Sequence, residues 1–82
     1  MKIINVNGQN VSESSKIKWN INSNPKLVGK KSWMRMELYF NSKTIGEYLE
    51  NGLVADLRYD EMKNFISVDS LTKEEIKKII SK

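Results

Sequence analysis

The stretch NPKLVGKKSWMRMELYF, residues 24–40, decides the predicted fold. Its Asn-Pro-Lys loop carries one glycine and leads into a segment in which Trp33, Met36 and Phe40 recur at the spacing of one helix face. Other methionine and leucine side chains stand beside that face. A helix that is apolar over so much of its circumference must be largely buried, so we expect the rest of the chain to pack around it.

Positive charge is concentrated around the same stretch. Residues 16–35 contain six of the fourteen Lys and Arg residues and no Asp or Glu, whereas residues 36–82 contain seven bases and nine acids. The formal net charge of +4 is therefore local. A basic segment without acids is typical of a surface that binds phosphates.

These bases gather around a predicted helix N-terminus. Ser32 is the expected N-cap of a helix over residues 33–41, Lys30 and Lys31 precede it, and Arg35 lies in the first turn. Free backbone N–H groups and the helix dipole favour an anion at such a place. The alternative is that the lysines are ordinary solvated surface. The candidate nucleic-acid-binding residues are Lys16, Lys18, Lys26, Lys30, Lys31, Ser32 and Arg35.

The first part of the chain shows two strand signals. Asn7-Gly8 is a strong signal for a two-residue hairpin turn, so residues 1–15 are predicted to form a loosely attached hairpin and a polar linker. Residues 17–21 alternate apolar and polar side chains at the strand period of two. The exposed face of this strand carries Lys16 and Lys18, which would extend the basic surface.

The middle of the chain predicts a short helix followed by a hairpin. Thr44 and Glu47 have the capping-box spacing, and Gly52 is expected to end the helix in a left-handed conformation. Residues 53–59 alternate as a strand and residues 65–68 return, which predicts an antiparallel hairpin.

The last helix has the clearest signature. Thr72 is the expected N-cap and Glu75 closes a capping box. Ile76, Ile79 and Ile80 share one face, so we expect this helix to dock on the core.

The predicted fold is a small α+β domain of residues 1–82 with the order strand, helix, helix, β-hairpin, helix. A chain of this length buries one modest core and forms one domain. The order resembles the later part of a winged-helix domain, but its recognition helix would offer Glu47 and Glu50 and no base. A winged-helix-like arrangement and a generic α+β domain both remain open.

Several functional classes are excluded by composition. The chain has no cysteine and no histidine, which excludes disulfides, thiolate metal sites and imidazole chemistry. Four carboxylates cluster around the predicted hairpin: Asp56, Asp60, Glu61 and Asp69. Asp56 has a possible partner in Arg58, or in Arg35 turned inward, and Asp60 suits a turn. We therefore expect no enzyme, no catalytic residue, no metal and no cofactor.

No apolar run approaches the roughly 18 residues of a membrane span, and the N-terminus lacks a signal-peptide pattern. We expect a cytoplasmic protein that does not contact membranes.

A spaced set of residues suggests a family. The pattern runs from Asn-Pro-Lys through a glycine, a serine, an arginine and a tyrosine to a Thr-x-x-Glu helix that ends at glycine, then Asp-Leu-Arg and a closing Phe-Ile. The matching residues are Asn24, Pro25, Lys26, Gly29, Ser32, Arg35, Tyr39, Thr44, Glu47, Gly52, Asp56, Leu57, Arg58, Asp60, Phe65 and Ile66. This resembles small uncharacterised phage and prophage proteins, which implies a phage origin and one compact unit. Here Tyr59 and Asn64 replace the tryptophan and glycine of the pattern.

The expected function is that of a small phage-type accessory protein that binds nucleic acid, with DNA favoured, mainly through phosphate contacts. The alternative is a module that binds and modulates a host or phage protein, and a virion structural part is a third option. Trp19 and Trp33 are expected to pack in the core instead of stacking on bases. Salt dependence separates the first two functions, because phosphate binding releases counterions and apolar docking does not.

Overall fold

The computed structural model describes residues 2–81 and shows a small α+β fold, which confirms the predicted class. The elements are β1 (Ile4–Val6), β2 (Gln9–Val11), β3 (Ile17–Trp19), α1 (Lys31–Tyr39), α2 (Ile45–Asn51), α3 (Val54–Met62), β4 (Ile66–Val68) and α4 (Lys73–Ile80). Within the described range, no helix is long and apolar enough to cross a membrane.

The N-terminal hairpin forms at the predicted turn. Asn7 and Gly8 have φ angles of 51° and 93°, the positive values that this two-residue turn requires. The antiparallel register pairs Ile4 with Val11. Val11 and Val6 are fully buried, so the hairpin contributes to the core.

The second sheet joins distant parts of the chain. β3 pairs antiparallel with β4, and Trp19 faces Ile66 in the register. The predicted hairpin between residues 53–59 and 65–68 is therefore wrong, although both predicted strands at 17–21 and 65–68 exist in shorter form.

Residues 53–59 belong to a helix, α3, and not to a strand. The buried positions of this helix are Asp56, Leu57 and Asp60, which follow helical spacing. Two of the three are carboxylates, so the pattern of apolar residues does not reveal the helical period. Without the hairpin there is no wing, and the winged-helix-like arrangement is wrong.

α3 ends in a Schellman motif at Asn64, one of the two residues that depart from the phage-type pattern. Phe65 N–H donates to the carbonyl of Asp60, and Asn64 N–H donates to the carbonyl of Glu61. Asn64 has φ of 61°, in the left-handed region that glycine adopts most readily and asparagine tolerates. Asparagine therefore satisfies the backbone requirement that the glycine of the pattern would meet.

α1 differs from its prediction at its start and on its outer side. The helix begins at Lys31 with Lys30 as its N-cap residue, and no side chain caps it, so the prediction of Ser32 as N-cap is wrong. Met34 and Leu38 are 50% and 67% exposed, so the expectation that the helix would be buried over most of its circumference is also wrong.

The core lies between the sheets and the first three helices. Its buried apolar residues are Val6, Val11, Ile17, Met36, Tyr39, Ile45, Tyr48, Leu57 and Ile66. The rings of Tyr39 and Tyr48 are in close contact, tilted by 31° with centroids 3.9 Å apart. Trp19 packs beside them and donates from its indole N–H to the carbonyl of Ser42 over 2.8 Å.

α2 starts as predicted but ends for a different reason. Thr44 Oγ1 accepts a hydrogen bond from Glu47 N–H, while the Glu47 carboxylate accepts from Lys43 N–H instead of closing the box on Thr44. Gly52 has φ of −111°, so the expected left-handed conformation is absent. Glycine is required there by space, because a Cβ would lie 2.7 Å from the Tyr39 ring.

α4 has the predicted cap but not the predicted packing. Thr72 and Glu75 form the reciprocal capping box. No residue of α4 is buried, and Ile80 is 72% exposed. Ile76 and Ile79 are half-buried but belong neither to the core nor to the residues packed against it, so the expectation that this helix docks on the core is wrong.

Candidate interaction surface

The Asn24-Pro25-Lys26 loop is held by its first side chain. Asn24 Oδ1 accepts a hydrogen bond from Lys26 N–H over 3.0 Å, which closes a local turn. Asn24 Nδ2 donates to the carbonyl of Trp33 and to the Glu37 carboxylate, over 3.0 and 3.1 Å. The loop is thus tied to α1, and the lysine that follows is turned into the protein.

Lys26 is part of a buried polar cluster. Its ammonium group lies 3.0 Å from Asp60 Oδ1, and the two side chains are 9% and 0% exposed. The other carboxylate oxygen of Asp60 accepts hydrogen bonds from the hydroxyls of Tyr39 and Tyr48. The ammonium also lies 4.9 Å from the centre of the Tyr59 ring. We call Lys26, Asp60, Tyr39 and Tyr48 the buried network.

Burial raises the pKa of both the Tyr39 and Tyr48 phenols above their ordinary value. Their hydroxyl protons are committed to the Asp60 carboxylate, so these phenols serve as donors inside the core. The network therefore holds the loop, α1, α2 and α3 together, and it leaves Lys26 without a role as a free surface charge.

Arg35 is also paired. Its Nε and one terminal nitrogen donate to the two oxygens of Asp56 over 2.7 and 2.9 Å, a bidentate geometry. Asp56 accepts a further hydrogen bond from Leu53 N–H at the start of α3. The hydrogen bonds from Arg35 hold the pKa of the Asp56 carboxyl below its usual range. The inward orientation that the sequence left open is confirmed.

The predicted convergence of charges at the N-terminus of α1 is therefore corrected. Lys26 and Arg35 each form an ion pair with an acid of α3, so neither stands as an unpaired charge at the N-terminus of α1. Lys30 and Lys31 remain exposed at the helix start. Four of the predicted bases form no ion pair within residues 2–81: Lys16, Lys18, Lys30 and Lys31.

A groove of about 560 Å³ lies between the loop and α3. Its walls are formed by Pro25, Lys26, Leu27, Ser32, Ala55, Asp56 and Tyr59. Leu27 is 69% exposed and Tyr59 is 45% exposed, so apolar surface stands at the opening. Ser32 thus contributes to this groove and not to a cap. We call this feature the loop–α3 groove.

The outward side of α1 continues the apolar surface. Met34 and Leu38 are one helical turn apart and lie opposite the buried residues Met36 and Tyr39. Val28, in the turn that leads to the helix, is 73% exposed. We call Met34 and Leu38 the outer α1 face.

A metal centre finds no support in the described part of the chain, where no group of three or more carboxylates could hold a metal ion. Comparison with family models, curated proteins and solved structures finds no match for this chain.

Sequence reasoning missed the groove and the exposed apolar residues. The apolar character of Met34 and Leu38 predicts a buried helix. In the structure, the side of α1 that faces α3 also carries Arg35, which pairs with Asp56. The sequence did contain a signal for the groove. Residues 16–35 carry bases but no acid, and Asp56 and Asp60 of α3 each pair with one of those bases.

Proposed function

We propose that this chain is a small non-catalytic accessory protein that binds another protein through the outer α1 face. The single observation that carries the proposal is the exposure of Met34 and Leu38, side by side and opposite the core. No partner inside residues 2–81 covers them. Contiguous apolar side chains on a small protein mark an interaction surface more often than isolated ones do.

Burial of the outer α1 face alone contributes only a small part of a binding free energy. Full burial of a Leu or Met side chain contributes about 1.5–3 kcal/mol, and these two are already half or one third covered. Covering the remainder contributes roughly 2 kcal/mol for the pair, so other parts of the surface must take part. Leu27 and Val28 lie at the N-terminal end of the same helix and add apolar area there. The resemblance to phage-type proteins favours a host or phage protein as the partner.

Nucleic-acid binding is the second candidate. It is favoured by four exposed lysines without acidic partners in the described residues: Lys16, Lys18, Lys30 and Lys31. Trp19 is packed against Phe40 with ring centroids 4.7 Å apart, so it is not free to stack on bases, and phosphate contacts are the expected mode of binding.

The test of the protein-binding proposal is selection from a displayed library of random peptides. The wild-type chain should enrich peptides that the double variant Met34→Glu/Leu38→Glu no longer binds, because two buried charges oppose apolar contact. The matched control is Lys16→Gln/Lys18→Gln, which changes two exposed residues of β3 and should bind the same peptides. Equal binding by the outer-face variant and the wild type would refute the proposal.

The nucleic-acid candidate is separated by an electrophoretic assay with duplex and single-stranded DNA at about 50 and about 200 mM salt. Phosphate binding should weaken steeply with salt and should fall with each Lys→Gln change. Strong salt-dependent DNA binding without any peptide enrichment would replace the protein-binding proposal with this second function.

A further inference from the structure

We infer that the loop–α3 groove accepts an acidic segment of the partner protein, with a carboxylate beside Lys26 and Ser32 and an apolar side chain against Tyr59. The inference rests on the proposed function and adds the chemistry of the partner. Three properties of the groove support it: unused hydrogen-bond donors, acids that are already neutralised, and an apolar wall.

The donors come from the loop side of the groove. An ammonium group carries three N–H donors. The Lys26 side chain is 9% exposed, and its ion pair among the described residues is with Asp60, at 3.0 Å. The Tyr59 ring, 4.9 Å away, interacts with the positive charge but accepts no conventional hydrogen bond. Ser32 adds a hydroxyl to the same groove. An entering carboxylate would therefore meet donors that the fold has not used.

The acids of the groove do not repel such a ligand strongly. Asp56 receives two hydrogen bonds from Arg35 and one from Leu53 N–H, so its charge is balanced and most of its acceptor capacity is used. Asp60 is fully buried behind Lys26. Neither carboxylate is an unpaired negative charge at the surface.

The rim of the groove is positive. Lys31 precedes Ser32 and is exposed, and Lys63 lies 5.7 Å from the centre of the Tyr59 ring. Glu37, the acid nearest in sequence on α1, accepts a hydrogen bond from Asn24. Glu37 keeps its negative charge, but Asp56 and Asp60 are ion-paired and the two lysines of the rim are not, so the rim attracts an acidic partner and disfavours a basic one.

The apolar wall gives the segment an anchor. Pro25, Leu27, Ala55 and Tyr59 line the groove, whose volume of about 560 Å³ falls within the range of roughly 300–1,000 Å³ found for ligand pockets. Ser32 belongs to α1, so the groove adjoins the helix that carries Met34 and Leu38. Ser32 lies on the side of α1 that carries Met36, so a partner that contacts both features must extend around the N-terminal end of the helix.

The experiment uses a fluorescein-labelled peptide, Glu-Asp-Leu-Phe-Glu-Asp, and a counterpart in which lysine replaces each acid. Anisotropy titrations of the full chain should show saturable binding of the acidic peptide, and at least tenfold weaker binding of the lysine peptide. Amide resonances of Leu27, Ala55 and Tyr59 should shift in step with peptide concentration.

Two groove variants and one control make the result specific. Ala55→Glu places a bulky negative group in the groove at an exposed helix position, and it should weaken the acidic peptide at least tenfold. Ser32→Ala should weaken it severalfold. Lys78→Gln, on α4, changes the net charge by the same amount as Ala55→Glu and should leave binding unchanged.

The outcomes distinguish this inference from the proposed function. Equal binding of both peptides, equal binding by Ala55→Glu and wild type, or no saturable binding overturns the groove assignment. Shifts confined to Met34 and Leu38 also overturn it but leave the outer α1 face as the binding surface. If a single-stranded DNA oligonucleotide shifts the groove amides and the acidic peptide does not, the groove belongs to a nucleic-acid site and the inference fails.

Discussion

Replacing Lys26 with methionine is expected to remove a large part of the stability of this fold. The methionine fills most of the volume of the lysine stem but leaves the Asp60 carboxylate, which is fully buried, without a cation. Removing one partner of a buried ion pair costs about 3–5 kcal/mol. A chain of this length has an unfolding free energy of roughly 4–12 kcal/mol at 0.05–0.15 kcal/mol per residue, so the loss is a substantial share of the total.

A double-mutant cycle makes the expectation sharper. Asp60→Asn alone leaves the Lys26 ammonium buried without its counter-ion and should cost a similar amount. The double variant Lys26→Met/Asp60→Asn has neither charge, and its amide oxygen still accepts from the hydroxyls of Tyr39 and Tyr48. It should be more stable than either single variant, by about 2 kcal/mol or more.

Urea unfolding followed by tryptophan fluorescence measures these differences, because Trp19 packs near both tyrosines of the network, with centroid distances of 6.3 Å. The control is Lys18→Met, an exposed lysine of β3, which should stay within about 0.5 kcal/mol of wild type. If Lys26→Met behaves like this control, or if the double variant is less stable than both single variants, the account of the buried network is wrong.

Three further outcomes follow from the packing. Gly52→Ala should lower the free energy of unfolding by about 1–3 kcal/mol, since its Cβ would lie within 3 Å of two aromatic rings; an unchanged urea midpoint would contradict this. Because the pKa values of Tyr39 and Tyr48 are raised in the fold, their stabilisation is fully present below pH of about 10 and is lost as pH rises above it, and thermal scans at increasing alkaline pH should show a falling Tm. Truncation after Leu71 should change the Tm only slightly, because no residue of α4 is buried; a drop of many degrees would show that α4 does support the core.

The elements predicted correctly are those whose signal is local. The Asn7-Gly8 turn and the box formed by Thr72 and Glu75 depend on chemistry within four residues, and both form as expected. The half-buried strand β3 follows from simple alternation. Such features need no knowledge of the rest of the chain.

The predictions that failed depend on distant partners. The sequence predicts a strand here because Leu53, Ala55, Leu57 and Tyr59 alternate as one apolar face. Of these four only Leu57 is buried, and the buried side of α3 also includes Asp56 and Asp60. Hydrophobic periodicity cannot show a helix whose inner face is charged. Burial of those acids is stable only because bases from another segment neutralise them.

The position of the basic residues is evident from the sequence, but their ion-pair partners are not. Charge counting along the chain found the acid-free segment, yet Lys26 and Arg35 meet their acids across the fold. The polar members of the phage-type pattern suggested an origin, and in the structure several of them contact one another: Asn24, Lys26, Arg35, Tyr39, Asp56 and Asp60. A set of widely spaced polar residues in one pattern is therefore as consistent with an internal network as with an external ligand.

During synthesis, β3 emerges well before the strand that completes its sheet. Ile17 and Trp19 pair with Val68 and Ile66, so three helices are added while β3 has no partner. The entropic cost of closing so long a loop is offset only as those helices pack, so strand pairing follows helix packing. Until residues 66–68 are present, β3 lacks the strand that completes its sheet, and an unpaired strand edge is a place where another chain can pair.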